Sequence, residues 1–167
     1  MSIIRARASK VDLGYTVIEG LQLPDGSYEI AVPQLLSVFP DFNTSKNLVS
    51  RDIKRLMGEG FNTSKRKTEF RKNYTNTITI KQLVQIAKTL YKKHDLSSAE
   101  ALLDAALEEA LDRRFDEAFA VKVTEEERGE RFTNRFNQVV DYLEGDREDV
   151  KIIEEQQKFL GTEDSWG

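Results

Sequence analysis

Lys65-Arg66-Lys67 and Arg71-Lys72 place five cations in a short stretch, with Phe70 and Tyr74 interleaved. Guanidinium and ammonium groups of this kind reach phosphate oxygens and release the counterions condensed on them. Asn62, Thr63, Ser64, Asn73 and Asn76 are short donors suited to fixing register on a sugar–phosphate backbone. Residues 46–93 hold thirteen Lys/Arg against three Asp/Glu, a net of +10. Residues 1–45 carry −2 and residues 94–167 carry −12, so the chain's net charge of −4 hides a sharp division. The chemistry indicated is nucleic-acid binding by the middle of the chain. The competing reading is a solvated face whose cations pair with the acidic half of the same molecule.

A second set of polar residues lies just upstream. Lys46, Asn47, Ser50, Arg51, Lys54 and Arg55 fall on one side of a helical period whose apolar positions are Leu48, Val49, Ile53, Leu56 and Met57. Arg and Asn make bidentate contacts with guanine and adenine edges, so this helix is a candidate reader beside the phosphate-binding block. Catalytic patterns are weaker. Pro40-Asp41 followed by Asp52-Ile53-Lys54 satisfies a short pattern of metal-dependent nucleases, which need two carboxylates on a divalent cation and a lysine near the attacking water. Asp52 and Lys54 fall in a segment with helical period, where neighbours two apart diverge. The single histidine, His94, sits at a helix end beside Lys92 and Lys93, and there is no cysteine. No catalytic residue, metal ligand or cofactor is assigned, and the chain is expected not to be an enzyme.

The elements that position these residues follow from periodicity. Tyr15 to Val32 reads as a β-hairpin about Pro24-Asp25-Gly26-Ser27, with Tyr28, Ile30 and Val32 on the buried face. Pro33 suits the first turn of a short helix that Pro40 stops. Asn43-Thr44-Ser45 offers caps for the second helix, which Gly58 and Gly60 end. Residues 61–73 show no period; Thr75 to Ile80 alternates as a strand, and Lys81 to Lys93 resumes a helix. Phe42-Asn43-Thr44-Ser45-Lys46 recurs as Phe61-Asn62-Thr63-Ser64-Lys65, and both copies read as turn-and-cap segments. In the acidic half, Ala99 to Phe119 keeps 3–4 spacing from a cap at Ser97 or Ser98. Thr124-Glu125-Glu126-Glu127 is a capping box for a helix ending at Gly145, with a last helix from Arg147 to Leu160 and a frayed tail over 161–167.

These elements predict an α+β protein: a basic nucleic-acid-binding domain over 14–93, then an acidic helical interaction region over 95–160. Duplex DNA is the expected partner, with a homodimer formed through the 98–143 helices. No apolar run reaches the length of a membrane span, no signal peptide opens the chain, and a cytoplasmic location is expected. Asp25-Gly26-Ser27-Tyr28-Glu29-Ile30-Ala31-Val32, followed by Arg51-Asp52-Ile53-Lys54-Arg55-Leu56 and the basic segment, resembles the N-terminal DNA-binding module of phage antirepressors and related KilA-N or Bro-N proteins. The likeness covers residues 14–93 and lies in layout. It implies a small α+β DNA-binding domain joined to a C-terminal helical region for oligomerisation or partner binding. The expected function is DNA-binding regulation of the phage or mobile-element type, by site occupancy. The alternatives are an antirepressor-like protein–protein module, whose basic block meets an acidic partner, and a metal-dependent endonuclease.

Overall fold

The computed structural model describes residues 5–42, 50–69 and 71–163. Five strands, with two short helices between the third and the fourth, precede a helical half: β1 (Arg7–Asp12), β2 (Val17–Gln22), β3 (Tyr28–Ala31), α1 (Leu35–Val38), α2 (Ser50–Met57), β4 (Ser64–Arg66), β5 (Thr75–Thr79), α3 (Ile80–His94), α4 (Ser97–Ala118) and α5 (Glu125–Glu163). The α+β class holds.

The strands pair antiparallel in the order β1-β2-β3-β5-β4. The two edges then meet. Ala6 pairs with Thr68 in a parallel bridge, and the Ala6 amide donates to the Lys67 carbonyl at 2.9 Å. The sheet is thus curled into a ring that ties the start of β1 to the basic segment. The predicted β2–β3 hairpin is present. At its turn Gly26 takes φ +89°, and the Asp25 carboxylate accepts from the Ser27 amide and hydroxyl at 2.9 and 2.6 Å. Those bonds hold the exposed Asp25 carboxyl below its ordinary range.

Several elements differ from the periodicity reading. β1 was not anticipated, because Arg7-Ala8-Ser9-Lys10-Val11-Asp12 is an exposed edge strand with no apolar alternation. β4 lies in the segment that showed no period; it is short and defined by pairing with β5. Pro33 opens a 3-10 turn over Val32–Gln34 that passes into the single turn of α1. α2 is described from Ser50; its proposed caps at Asn43 to Ser45 lie outside the described residues. Ile80 begins α3 instead of ending the strand, because Thr79 and Gln82 form a reciprocal capping box. Neither Ser97 nor Ser98 caps α4. The cap residue is Leu96, and the Asp41 carboxylate accepts from the Ser98 amide at 3.2 Å and from its hydroxyl. Gly145 does not end a helix. α5 is one helix of 39 residues, since a lone glycine costs a helix only about 1 kcal/mol relative to alanine and no proline follows.

The main core lies between the sheet and the helices. Ile18, Ile30 and Ile78 from the strands meet Leu35, Val38 and Phe39 around α1, Ile53 from α2, and Ile86, Ala87 and Leu90 from α3. Ala99 of α4 belongs to the same cluster, with Leu102 and Leu103 packed on it. The core of the strand half therefore continues into the acidic half. α4 and α5 form the anticipated antiparallel hairpin, in which Ala101 and Ala105 meet Phe132 and Phe136. Tyr15 joins the two halves. Its ring stacks on Phe136 with centroids 3.8 Å apart, and its hydroxyl donates to the Val38 carbonyl at 2.7 Å. Burial, with the nearby Asp41 charge adding to it, pushes the Tyr15 hydroxyl pKa up.

Candidate nucleic-acid interface

The basic block sits on the β4–β5 hairpin and the loop joining its strands. Ser64, Lys65 and Arg66 pair with Thr77, Asn76 and Thr75. Adjacent strand residues point to opposite faces, so Lys65 and Arg66 diverge. Arg66 turns toward the inside of the ring, where Nε and Nη2 donate to Glu29 at 2.9 and 3.2 Å. The Thr77 hydroxyl donates to the same carboxylate at 2.7 Å. Glu29 is only 3% exposed. Burial works against its charged form, but the bonds from Arg66 and Thr77 and the Arg66 charge prevail, so its carboxyl stays below the usual glutamate range. The bond to Glu29 likewise raises the Arg66 pKa.

The other cations of the block are arranged differently. Lys65 and Lys72 are exposed. Lys67 places Nζ 5.9 Å from the Tyr74 ring centroid, and Tyr74 is 61% exposed, so a cation and an aromatic face lie together at the end of the hairpin. Arg71 bonds Glu19 at 3.0 Å with half of its side chain open to solvent. On α2, Ile53 is fully buried and Leu56 and Met57 pack on the core, which leaves Arg51 and Arg55 exposed and Lys54 half-buried. Lys46 and Asn47 lie outside the described residues. Ser50 is described only as the start of α2.

The ion pairs divide as the chain does. Arg66 and Arg71 use Glu29 and Glu19 of the strands. Three arginines of the acidic half use its own carboxylates: Arg113 takes Glu109 and Glu125, Arg128 takes Asp116, and Arg135 takes Glu108 and Asp112. The residues of the nuclease-like pattern are separated in role. The Asp41 carboxylate is engaged at the start of α4, while Asp52 and Lys54 stand on one helix. Among the described residues no group of three His, Cys, Asp or Glu side chains is placed to hold a metal ion. The second Phe-Asn-Thr-Ser-Lys copy starts β4 instead of capping a helix, and its Asn62 carbonyl accepts from Gln82 Nε2 at 2.7 Å.

Sequence reasoning missed Glu29. The alternation placed it on the outward face of a half-buried strand, whereas Glu29, Ile30 and Ala31 are all buried and Tyr28 is exposed. The ring covers the second face of β3, and no local signal announces a ring closed by residues 62 positions apart. Comparisons with protein-family models, curated proteins and solved structures found no match in any of the three. No helix among the described residues is long and apolar enough to cross a membrane.

Proposed function

We propose that this chain is a cytoplasmic DNA-binding regulatory protein of the phage or mobile-element type, acting by site occupancy. The observation that carries the reading is the outward set of the hairpin: Lys65, Lys67 and Lys72 with the exposed Tyr74, while Arg66 faces inward and holds the ring together. Exposed Lys65 and Lys72, with the half-buried Lys67 beside an exposed aromatic face, match phosphate contact with an adjoining stacking surface. Arg51 and Arg55 on α2 supply candidate base contacts. Arg66 and Arg71 of the block take their carboxylates from Glu29 and Glu19 of the strands and not from the acidic helices, which argues against those helices serving as the internal counter-charge of the block.

The exposed row Leu107, Leu111 and Phe115 on α4, continued by Phe119 just past its end, favours self-association through the helical half, which would align two basic hairpins on a two-fold site. The test is an electrophoretic shift on duplex DNA across a salt series, with and without Mg²⁺. Replacing Lys65, Lys67 and Lys72 together by alanine should weaken binding at all sequences alike and flatten the log–log salt slope by up to about three phosphate equivalents. Arg51→Ala should cost about 1–3 kcal/mol at a preferred site and less on random DNA. Unchanged affinity and slope in the triple variant would overturn the assignment of the hairpin. Mg²⁺-dependent cleavage would move the chain to the nuclease reading.

A further inference from the structure

The helix-facing side of the sheet is only partly covered. Helices pack over Ile30 and Ile78, whereas the β1–β2–β3 part opens into a groove of about 610 Å³ walled by Ile80 and Leu83 of α3. Its floor follows from the register. Arg7, Gln22 and Tyr28 form one cross-strand row, Ser9, Gly20 and Ile30 the next, and Val11 and Ile18 a third. All of these residues line the groove, and alternate strand positions put each row on the same face. The groove is therefore graded. One end carries a guanidinium, an amide and a phenol; the other carries only aliphatic side chains, closed by Leu13. At the middle row Gly20 presents bare backbone, and Val11 leans over it so closely that a Cβ there would lie 2.7 Å from Val11 Cγ2.

We infer that this groove binds an amphiphilic anion, a carboxylate carrying a medium-length apolar tail. The volume falls within the roughly 300–1,000 Å³ of small-molecule sites, and a mostly apolar lining with a few polar groups at one end is their usual composition. The sign of the charge selects the head group. Two charged residues line the groove, Arg7 and Glu29. The Glu29 carboxylate is taken up by Arg66 and Thr77 and is 3% exposed, which leaves the Arg7 guanidinium as the lining charge open to a ligand. Arg7 is 76% exposed and meets Glu69 only at 4.0 Å, an exposed pair worth little against a bidentate carboxylate. Gln22 and Tyr28 offer donors in the same row. From Ile18 to Gln22 the floor runs roughly 13 Å, the span available to the tail.

The experiment is calorimetric titration of the full chain with octanoate and, separately, 1-octanol, so it uses no nucleic acid and its outcome is independent of the DNA-binding reading. Saturable one-to-one binding is expected for both, with octanoate tighter by about tenfold, the increment of one charge-assisted contact. Arg7→Gln should abolish that preference while leaving octanol binding in place. Ser9→Phe, at an exposed position of the middle row, should fill the groove and remove both. In the unsubstituted chain, amide resonances of Gly20 and Ile30 should shift on titration, a readout that holds even if the phenylalanine variant fails to fold. Three results would each overturn the assignment: absence of saturable octanoate binding, shifts confined to other residues, or an octanoate preference that survives Arg7→Gln.

Discussion

Around the sheet, Leu35, Val38, Phe39, Ile53, Ile78 and Leu90 are fully buried, whereas between α4 and α5 the buried set is Ala101, Ala105, Phe132 and Phe136. The strand half holds together by large side chains drawn from most of its elements and by one ion pair inside the ring. The helical half relies on a narrow seam of small-against-aromatic contacts laced with ion pairs among Arg113, Arg128, Arg135 and their carboxylates. The exposed pairs of Arg113 contribute little each, whereas Arg128 and Asp116, 11% and 18% exposed, form the enclosed pair of the seam. The contrast shows which half dictates stability. α4 enters the core of the strand half through Ala99, Leu102 and Leu103, so the thin helical seam is anchored on the thick core. Its outer face, with Leu107 and Phe115 each more than 60% exposed, remains open for contact.

Core truncation should show the largest difference. Leu90→Ala is expected to cost about 2–5 kcal/mol, and because α4 shares that core, strand and helix signals should fall together in one urea transition. Two separated transitions would break the idea of a shared core. Leu107→Ala on the open face should change stability by less than about 0.5 kcal/mol.

The ring interior comes next. Glu29→Gln should cost about 1–3 kcal/mol, discounted from the value for a fully buried pair because the Arg66 side chain is 38% exposed. The same residue predicts a pH dependence. The Glu29 carboxyl is held below its ordinary value of 4.5 in the folded chain, so its contribution is present above that value. It should be lost as the pH falls through and below that range, because the unfolded chain takes up the proton first. Urea midpoints measured from pH 6 to pH 3 should fall more steeply for the unsubstituted chain than for Glu29→Gln. Parallel curves would remove Glu29 from the acid response.

Tyr15→Phe probes the joint between the halves while keeping the ring stack on Phe136. Losing only the bond to the Val38 carbonyl should cost about 0.5–1.5 kcal/mol by the same denaturation measurement. The smallest effect on folding, though a large one on association, is expected for Leu107→Asp. Measured below the dimerisation range it should leave the urea midpoint nearly unchanged, yet at micromolar concentration it should convert the proposed dimer to monomer in sedimentation. A concentration-independent monomer of the unsubstituted chain would remove the dimer and leave the α4 face to another partner.

Part of what local chemistry decides was legible in the amino-acid sequence, although the Thr79–Gln82 capping box and the continuity of α5 through Gly145 escaped it. The Pro24-Asp25-Gly26-Ser27 turn, the Thr124–Glu127 cap, α3 and the paired helices of the acidic half were all legible from spacing alone. So was the concentration of cations over residues 46–93. What each cation does was not legible. Lys65 and Arg66 are neighbours with the same charge. Only the pairing of β4 with β5 turns one outward and brings the other onto a carboxylate 37 residues away. The edge strand β1, the closing Ala6–Thr68 bridge, the capping of α4 by Asp41 and the graded groove over Gly20 share that origin. Each joins groups distant along the chain, and their meeting depends on strand register and packing geometry, which a local pattern of side chains does not encode.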